Sequence, residues 1–145
     1  MTDTSTRSGG RAPGNFTSYN PIAGDTFPPG TPVCQSQDAD GTVLPADASD
    51  AETANVVGIA TGAGVEDGPV HVQSLGPLTL TTAEWDAITG GSGGLTRGAP
   101  YFLSTTTGRI TATAPSGSGQ FVTPLGVASS ATDLIVQVGF PAENP

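Results

Sequence analysis

Gly30-Thr31-Pro32-Val33 and Gly98-Ala99-Pro100-Tyr101 stand 68 residues apart and open two passages with the same punctuation. The first continues through a turn at Asp40-Gly41-Thr42-Val43 to Val57-Gly58-Ile59-Ala60 and Val70-His71-Val72-Gln73. The second continues through Thr107-Gly108-Arg109-Ile110 to Leu125-Gly126-Val127-Ala128 and Ile135-Val136-Gln137-Val138. The turn glycines Gly41 and Gly108 are 67 apart, and Gly58 and Gly126 are again 68 apart. A spacing shared by three punctuated positions predicts two similar β-units in tandem. Short apolar runs at roughly 8–12-residue intervals, with Gly, Pro and Asp between them, belong to a barrel or sandwich. The expected fold is therefore mainly β: a single β-barrel or β-sandwich over residues 26–141, with pseudo-repeated halves at about 27–76 and 95–140.

One helix is expected between the halves, over residues 82–89. Thr81 precedes Glu84 by three, the spacing at which hydroxyl and carboxylate satisfy each other's exposed amides, and Gly90-Gly91 stops the run. Trp85 and Ile88 share a face. The helix is too short to stand on propensity, so burial of Trp85 must hold it. The expected core is Val33, Val43, Val57, Ile59, Val70, Val72, Leu80, Trp85, Leu95, Phe102, Ile110, Val127, Leu134 and Val136. Pro32 cannot donate to a central ladder, so Pro32-Val33-Cys34-Gln35 reads as an edge or first strand.

Outside this body lie an N-terminal arm, residues 1–25, and a short tail, residues 142–145. The arm is rich in Ser, Thr, Gly and Pro, and its first residues cannot bury enough surface to offset the entropy of ordering them. Phe16, Tyr19 and Ile22 are its large apolar side chains and the candidate partner contacts; packing against their own barrel is the equal alternative. No apolar segment resembling a secretion signal or a membrane span is present, so a soluble chain is expected.

Composition excludes several function classes. The net charge is −9, and there is no lysine; the basic residues are Arg7, Arg11, Arg97 and Arg109. Nucleic acid and anionic membrane surfaces both demand clustered cations, so neither is an expected partner. A single cysteine, Cys34, forms no internal disulfide, and the one histidine, His71, falls on the polar phase of its strand. Neither a zinc site nor a thiol–imidazole pair follows. Ser36, Asp38, Asp40, Gly41 and Asp47 imitate an EF-hand loop, but Asp-x-Asp-Gly between strands is an ordinary hairpin turn. No nucleophile–base pair is legible, and neither an enzyme nor a cofactor is expected.

The stretch Leu78-Thr-Leu-Thr-Thr-Ala-Glu-Trp-Asp-Ala-Ile-Thr-Gly-Gly-Ser-Gly-Gly-Leu-Thr-Arg-Gly-Ala-Pro-Tyr-Phe-Leu-Ser104, with Gly108-Arg-Ile-Thr111 and Leu125-Gly-Val-Ala128, resembles tailed-bacteriophage virion proteins. Gly30-x-Pro-Val33, Val57-Gly-Ile-Ala60 and Val70-x-Val72 are similar to small capsid cement, or head decoration, proteins. Together the resemblance covers residues 24–140. It implies a structural protein on the capsid exterior of a virion, made in the host cytoplasm, without catalytic residues. The implied partners are the major capsid protein and further copies of the chain itself, as a homotrimer or dimer. Tail-fibre and baseplate modules share related phrases and imply host-glycan binding through Trp85, Tyr101 and the acidic loops. A bacterial surface β-domain without a phage link is the third reading.

Overall fold

A computed structural model of the chain describes residues 18–145. The chain order begins β1 (Ser18–Tyr19), β2 (Ile22–Ala23), β3 (Pro32–Gln35), β4 (Thr42–Pro45), β5 (Val56–Ala60) and β6 (Val72–Gln73). It continues with β7 (Leu75–Thr79), α1 (Thr82–Thr89), β8 (Pro100–Leu103), β9 (Ile110–Thr111), β10 (Phe121–Val122), β11 (Pro124–Ala128), β12 (Asp133–Gln137) and β13 (Ala142–Glu143). The first six strands form one sheet, ordered β1-β6-β5-β3-β4-β2, and a second sheet is ordered β7-β12-β11-β8-β9. Among the described residues the fold is mainly β with one helix.

The repetition is carried by the hydrogen-bond register itself. Pro32 faces Ile59 and Val33 faces Gly58, a bulge follows, and Cys34 then faces Val56. In the second sheet Pro100 faces Val127 and Tyr101 faces Gly126, the same bulge follows, and Phe102 faces Pro124. Gly30 N donates to Ala60 O and Ala60 N to Thr31 O; Gly98 N donates to Ala128 O and Ala128 N to Ala99 O. Gly30 and Gly98 both sit at left-handed φ, 89° and 83°, where a side chain is strained. The final strands pair differently from the sequence alignment. Ala60 faces Val72 and Ala128 faces Leu134, so Val72 corresponds to Leu134, three residues earlier than the phrase Ile135–Val138 implied. The path from Ala60 to its partner Val72 is six residues longer than that from Ala128 to Leu134, and the surplus lies in the Gly-rich loop after Ala60.

Register also lengthens each unit at its start. β1 lies beside β6 as β7 lies beside β12. The helix therefore stands inside the second unit, between its first and second strands, rather than between the two units. Residues 18–25, grouped with the arm on composition, join the first sheet, and Ala23 is wholly buried. The C-terminal residues pair as well: β13 runs antiparallel to β10, and Asn144 Nδ2 donates to Pro115 O at 2.8 Å.

β1 and β2 lie at opposite ends of the first sheet's strand order, although only two residues separate them in sequence. A flat six-stranded sheet is roughly 24 Å across, while three residues reach at most about 11 Å. The sheet must therefore curl until its ends meet, and Val70 N donating to Pro21 O at 2.9 Å helps close the seam. Inside the curl lies a small core of Val33, Val43, Ala60 and Val72, capped by Phe27 and Val70. β3 is central, not an edge; Pro32 is tolerated as the first residue of its strand.

The larger core lies between the units. Cys34, Val56 and Ile59, from the back of the first sheet, cluster with Tyr101, Leu103, Leu134 and Val136 from the second. Trp85 and Ile88 close it from the helix, and Trp85 Nε1 donates to Thr132 O at 2.7 Å. The expected cap is present: Glu84 N donates to Thr81 Oγ1 at 3.1 Å and Thr81 N to Glu84 Oε1 at 2.9 Å. The buried Thr123 hydroxyl donates to Ala54 O at 2.8 Å, tying the units across 69 residues.

Candidate interaction surface

Alternation along β8 and β12 sends Tyr101, Leu103, Leu134 and Val136 inward and leaves Phe102 and Ile135 on the other side of the sheet. In β11 the bulge places Leu125 in the core and turns Val127 outward, although the two are spaced as same-face residues. Val127 is 46% exposed, Ile135 48% and Leu75 50%. Assignment of Val127 to the core is thus corrected, and Phe102 is only partly buried. Val57, in the corresponding bulge of β5, is partly exposed too. Phe102, Val127 and Ile135, together with Pro100, Pro124 and Gln137, line a shallow apolar groove of about 240 Å³, and Leu75 lies beside it, paired with Gln137.

The first sheet uses the same positions in the opposite way. Pro32, Cys34 and Ile59 correspond to Pro100, Phe102 and Val127, and all three are buried, Cys34 and Ile59 in the core shared with the second unit. A face that is core in one unit is surface in the other.

The residues proposed from sequence lie elsewhere. Phe16 is outside the described residues. Tyr19 and Ile22 are 38% and 40% exposed, in β1 and β2 where the curled sheet closes, and neither lines the apolar groove. Burial raises the Tyr19 phenol above its ordinary value. Sequence reasoning missed Leu75, Phe102, Val127 and Ile135 as surface. A signal was present: Leu134-Ile135-Val136 is apolar on both phases of one strand, which requires cover on both faces.

A second concavity, of about 330 Å³, separates the first unit from the helix; Asp25, Thr26, Ala87, Thr107 and Arg109 are among its walls. Arg109 Nη1 passes close to Gly90, the left-handed cap of α1, so the β8–β9 hairpin supplies a cation where the helix dipole favours one.

The titratable residues serve turns and contacts. Burial would raise the Asp47 carboxyl, but hydrogen bonds from Ser49, Thr107 and Thr53 outweigh it and hold the group below its usual value. Thr107 Oγ1 donates to Asp47 Oδ2 at 3.0 Å from the other unit. Burial, and then the nearby Asp47 charge, push the Cys34 thiol up, away from the reactive thiolate. His71 is exposed, its Nδ1 2.9 Å from Thr61 Oγ1. Ser36 Oγ accepts from Asp38 N and Ala39 N, a local turn rather than a cation loop. Among the described residues no three His, Cys, Asp or Glu side chains converge, and no helix is long and apolar enough to cross a membrane.

Compared with known proteins, the chain matches no family model and no curated relative.

Proposed function

We propose that this chain is a bacteriophage capsid decoration protein, which binds the outer surface of the major capsid protein lattice and stabilises the head. The reading starts from the resemblance of residues 24–140, and the observation that supports it in the fold is the uncharged, mainly apolar groove on the outer face of the second sheet of a strongly acidic chain. Apolar patches rimmed by polar residues are the surfaces proteins use for binding partners. A protein present in many copies on a lattice needs only modest affinity per contact, because multivalency supplies the rest. The mechanism is mechanical: the protein bridges capsomers and resists the pressure of the packaged DNA. The competing glycan-binding reading assigns sugar contacts to Trp85, Tyr101 and the acidic loops. Trp85 is wholly buried and Tyr101 is 4% exposed, so neither ring offers a face to a sugar.

The test is co-sedimentation of the purified protein with emptied heads of the encoding phage. Saturable binding at hundreds of copies per head, with a raised temperature of head disruption, is expected. Binding to host cells without binding to heads would overturn the proposal.

A further inference from the structure

The chain contains two Asp-Gly pairs, Asp40-Gly41 and Asp67-Gly68. Aspartate before glycine is open to an uncatalysed rearrangement, because glycine has no side chain to shield its backbone nitrogen. That nitrogen attacks the aspartyl Cγ and loses its proton, a carboxyl oxygen departs as water, and a five-membered imide closes. Water then returns to one of the two ring carbonyls. Addition at the Cγ carbonyl breaks the new bond and restores aspartate. Addition at the main-chain carbonyl breaks the original peptide bond and leaves isoaspartate, with the backbone running through Cβ and Cγ. Nothing is oxidised or reduced, and the water lost equals the water regained.

By sequence the two pairs are equivalent; the fold separates them. Asp67 N donates to Ala23 O, Gly68 N to Val65 O and Ala23 N to Gly68 O, each at 2.8 Å. Ala23 is wholly buried in the small core, so this clamp anchors the pair to the body of the first sheet. The Gly68 nitrogen is engaged, and Asp67 is fixed at a left-handed φ of 69°. Turning that nitrogen onto Cγ requires opening the clamp.

Asp40 and Gly41 lie exposed at the turn from β3 to β4. The Ser36 hydroxyl accepts from the amides of Asp38 and Ala39 and so holds the near side of the turn. Among the described residues nothing accepts a hydrogen bond from Gly41 N, and nothing bonds the Asp40 carboxylate. The space a Cβ would occupy at Gly41 is open, with no atom within 4 Å. Attacking nitrogen and electrophile are both unengaged.

We propose that Asp40 is a site of spontaneous isoaspartate formation, and that the fold protects Asp67 from the same reaction. The product has a defined consequence. It lengthens the main chain by one atom immediately before Gly41, whose carbonyl accepts from Ile22 N at 2.9 Å. β2 pairs with β4 from that point, Ile22 beside Thr42, so the modification loosens the strand that closes the curled sheet. The proposal does not rest on the decoration reading, and its test contains no capsid.

The full chain is aged at physiological temperature in mildly acidic buffer, once folded and once in guanidinium chloride. Digestion with an endoprotease that cleaves before aspartate but not before isoaspartate locates the product. Methyl transfer by an isoaspartyl methyltransferase measures its amount. In the folded protein Asp40 should isomerise at least about tenfold faster than Asp67, whose three hydrogen bonds must open first. In denaturant the two rates should converge. Asp40→Glu, which would need a six-membered ring, should abolish the signal from the folded protein, and the aged native chain should show faster hydrogen exchange at the Ile22 amide. Equal rates in the folded protein, a faster Asp67, or an Asp40 that reacts only after denaturation overturns the proposal.

Discussion

The two units share hydrogen-bond register, bulge position and turn glycines, yet the first sheet is buried on both faces and the second on only one. The first curls until its ends meet and encloses a small core under Phe27 and Val70. The second, holding a helix where the first holds only β2, stays open and is filled by Trp85 and by the back of the first unit. Register therefore does not decide burial; the segment inserted between the first and second strands does. A two-residue strand completes a closed sheet, while a helix props the sheet open and supplies the largest side chain of the core.

Substitutions at equivalent or opposed places test this contrast. The largest effect is expected from Trp85→Ala, which empties the shared core and should cost about 3–5 kcal/mol in urea denaturation followed by circular dichroism. Phe27→Ala, in the smaller core, should cost about 3 kcal/mol. Both variants should unfold in one transition, because Ile59 and Cys34 tie the back of the first sheet into the larger core. Separate transitions for the two sheets in hydrogen exchange would break the picture of units that depend on each other.

Next come the paired glycines. A Cβ at Gly126 would fall on the Ile135 carbonyl oxygen, and φ there is +152°; a Cβ at Gly58 would strike a Val72 methyl and approach Gln73 O. Gly126→Ala should cost about 3 kcal/mol and Gly58→Ala about 2 kcal/mol, since the backbone oxygen met at Gly126 is closer than Gln73 O, which stands 2.9 Å from a Cβ at Gly58. Equal losses would mean that the two bulges are equally pliant.

Thr123→Val removes the buried hydroxyl bonded to Ala54 O and should cost about 1–2 kcal/mol by the same denaturation measurement. No loss would show that this link does not couple the units.

The smallest effect is pH-dependent. The Asp47 carboxyl is depressed in the folded state, so its stabilisation is present above the unfolded value near 4 and is lost as pH falls through the lower folded value. Thr107→Val should lower stability at pH 7 by at most about 1 kcal/mol, because Asp47 is only partly buried, and the difference should vanish near pH 2. Urea midpoints at the two pH values measure it. A difference that persists in acid would assign the effect to packing of Thr107 rather than to Asp47.

Much of this molecule is legible locally. Thr81, Glu84 and Gly90 define α1 because capping acts within one turn of helix, and the structure places α1 over the expected residues. The repeated glycines mark the turns because φ above zero is a property of single residues. The spacing of 68 then holds through strand, bulge and return strand. Alignment fails at the last strand, where the loop after Ala60 absorbs six extra residues and only pairing identifies Val72 with Leu134. Val127 was misplaced for a related reason. A bulge shifts the phase of alternation, and Leu125-Gly-Val127 looks the same in sequence with or without one.

The candidate surface was barely legible. Tyr19 and Ile22 drew attention as large side chains in a polar segment, but they lie at the seam of the first sheet. Phe102 and Val127 read as core because they are apolar and sit in strands. By itself the sequence determined the β class, the duplication, the helix and its cap, since each depends on neighbours within a few residues or on a repeated period. The tertiary structure alone decided which face of each sheet is covered. Burial of Ile59 but not Val127 depends on what arrives from distant parts of the chain, and no local pattern encodes that arrival.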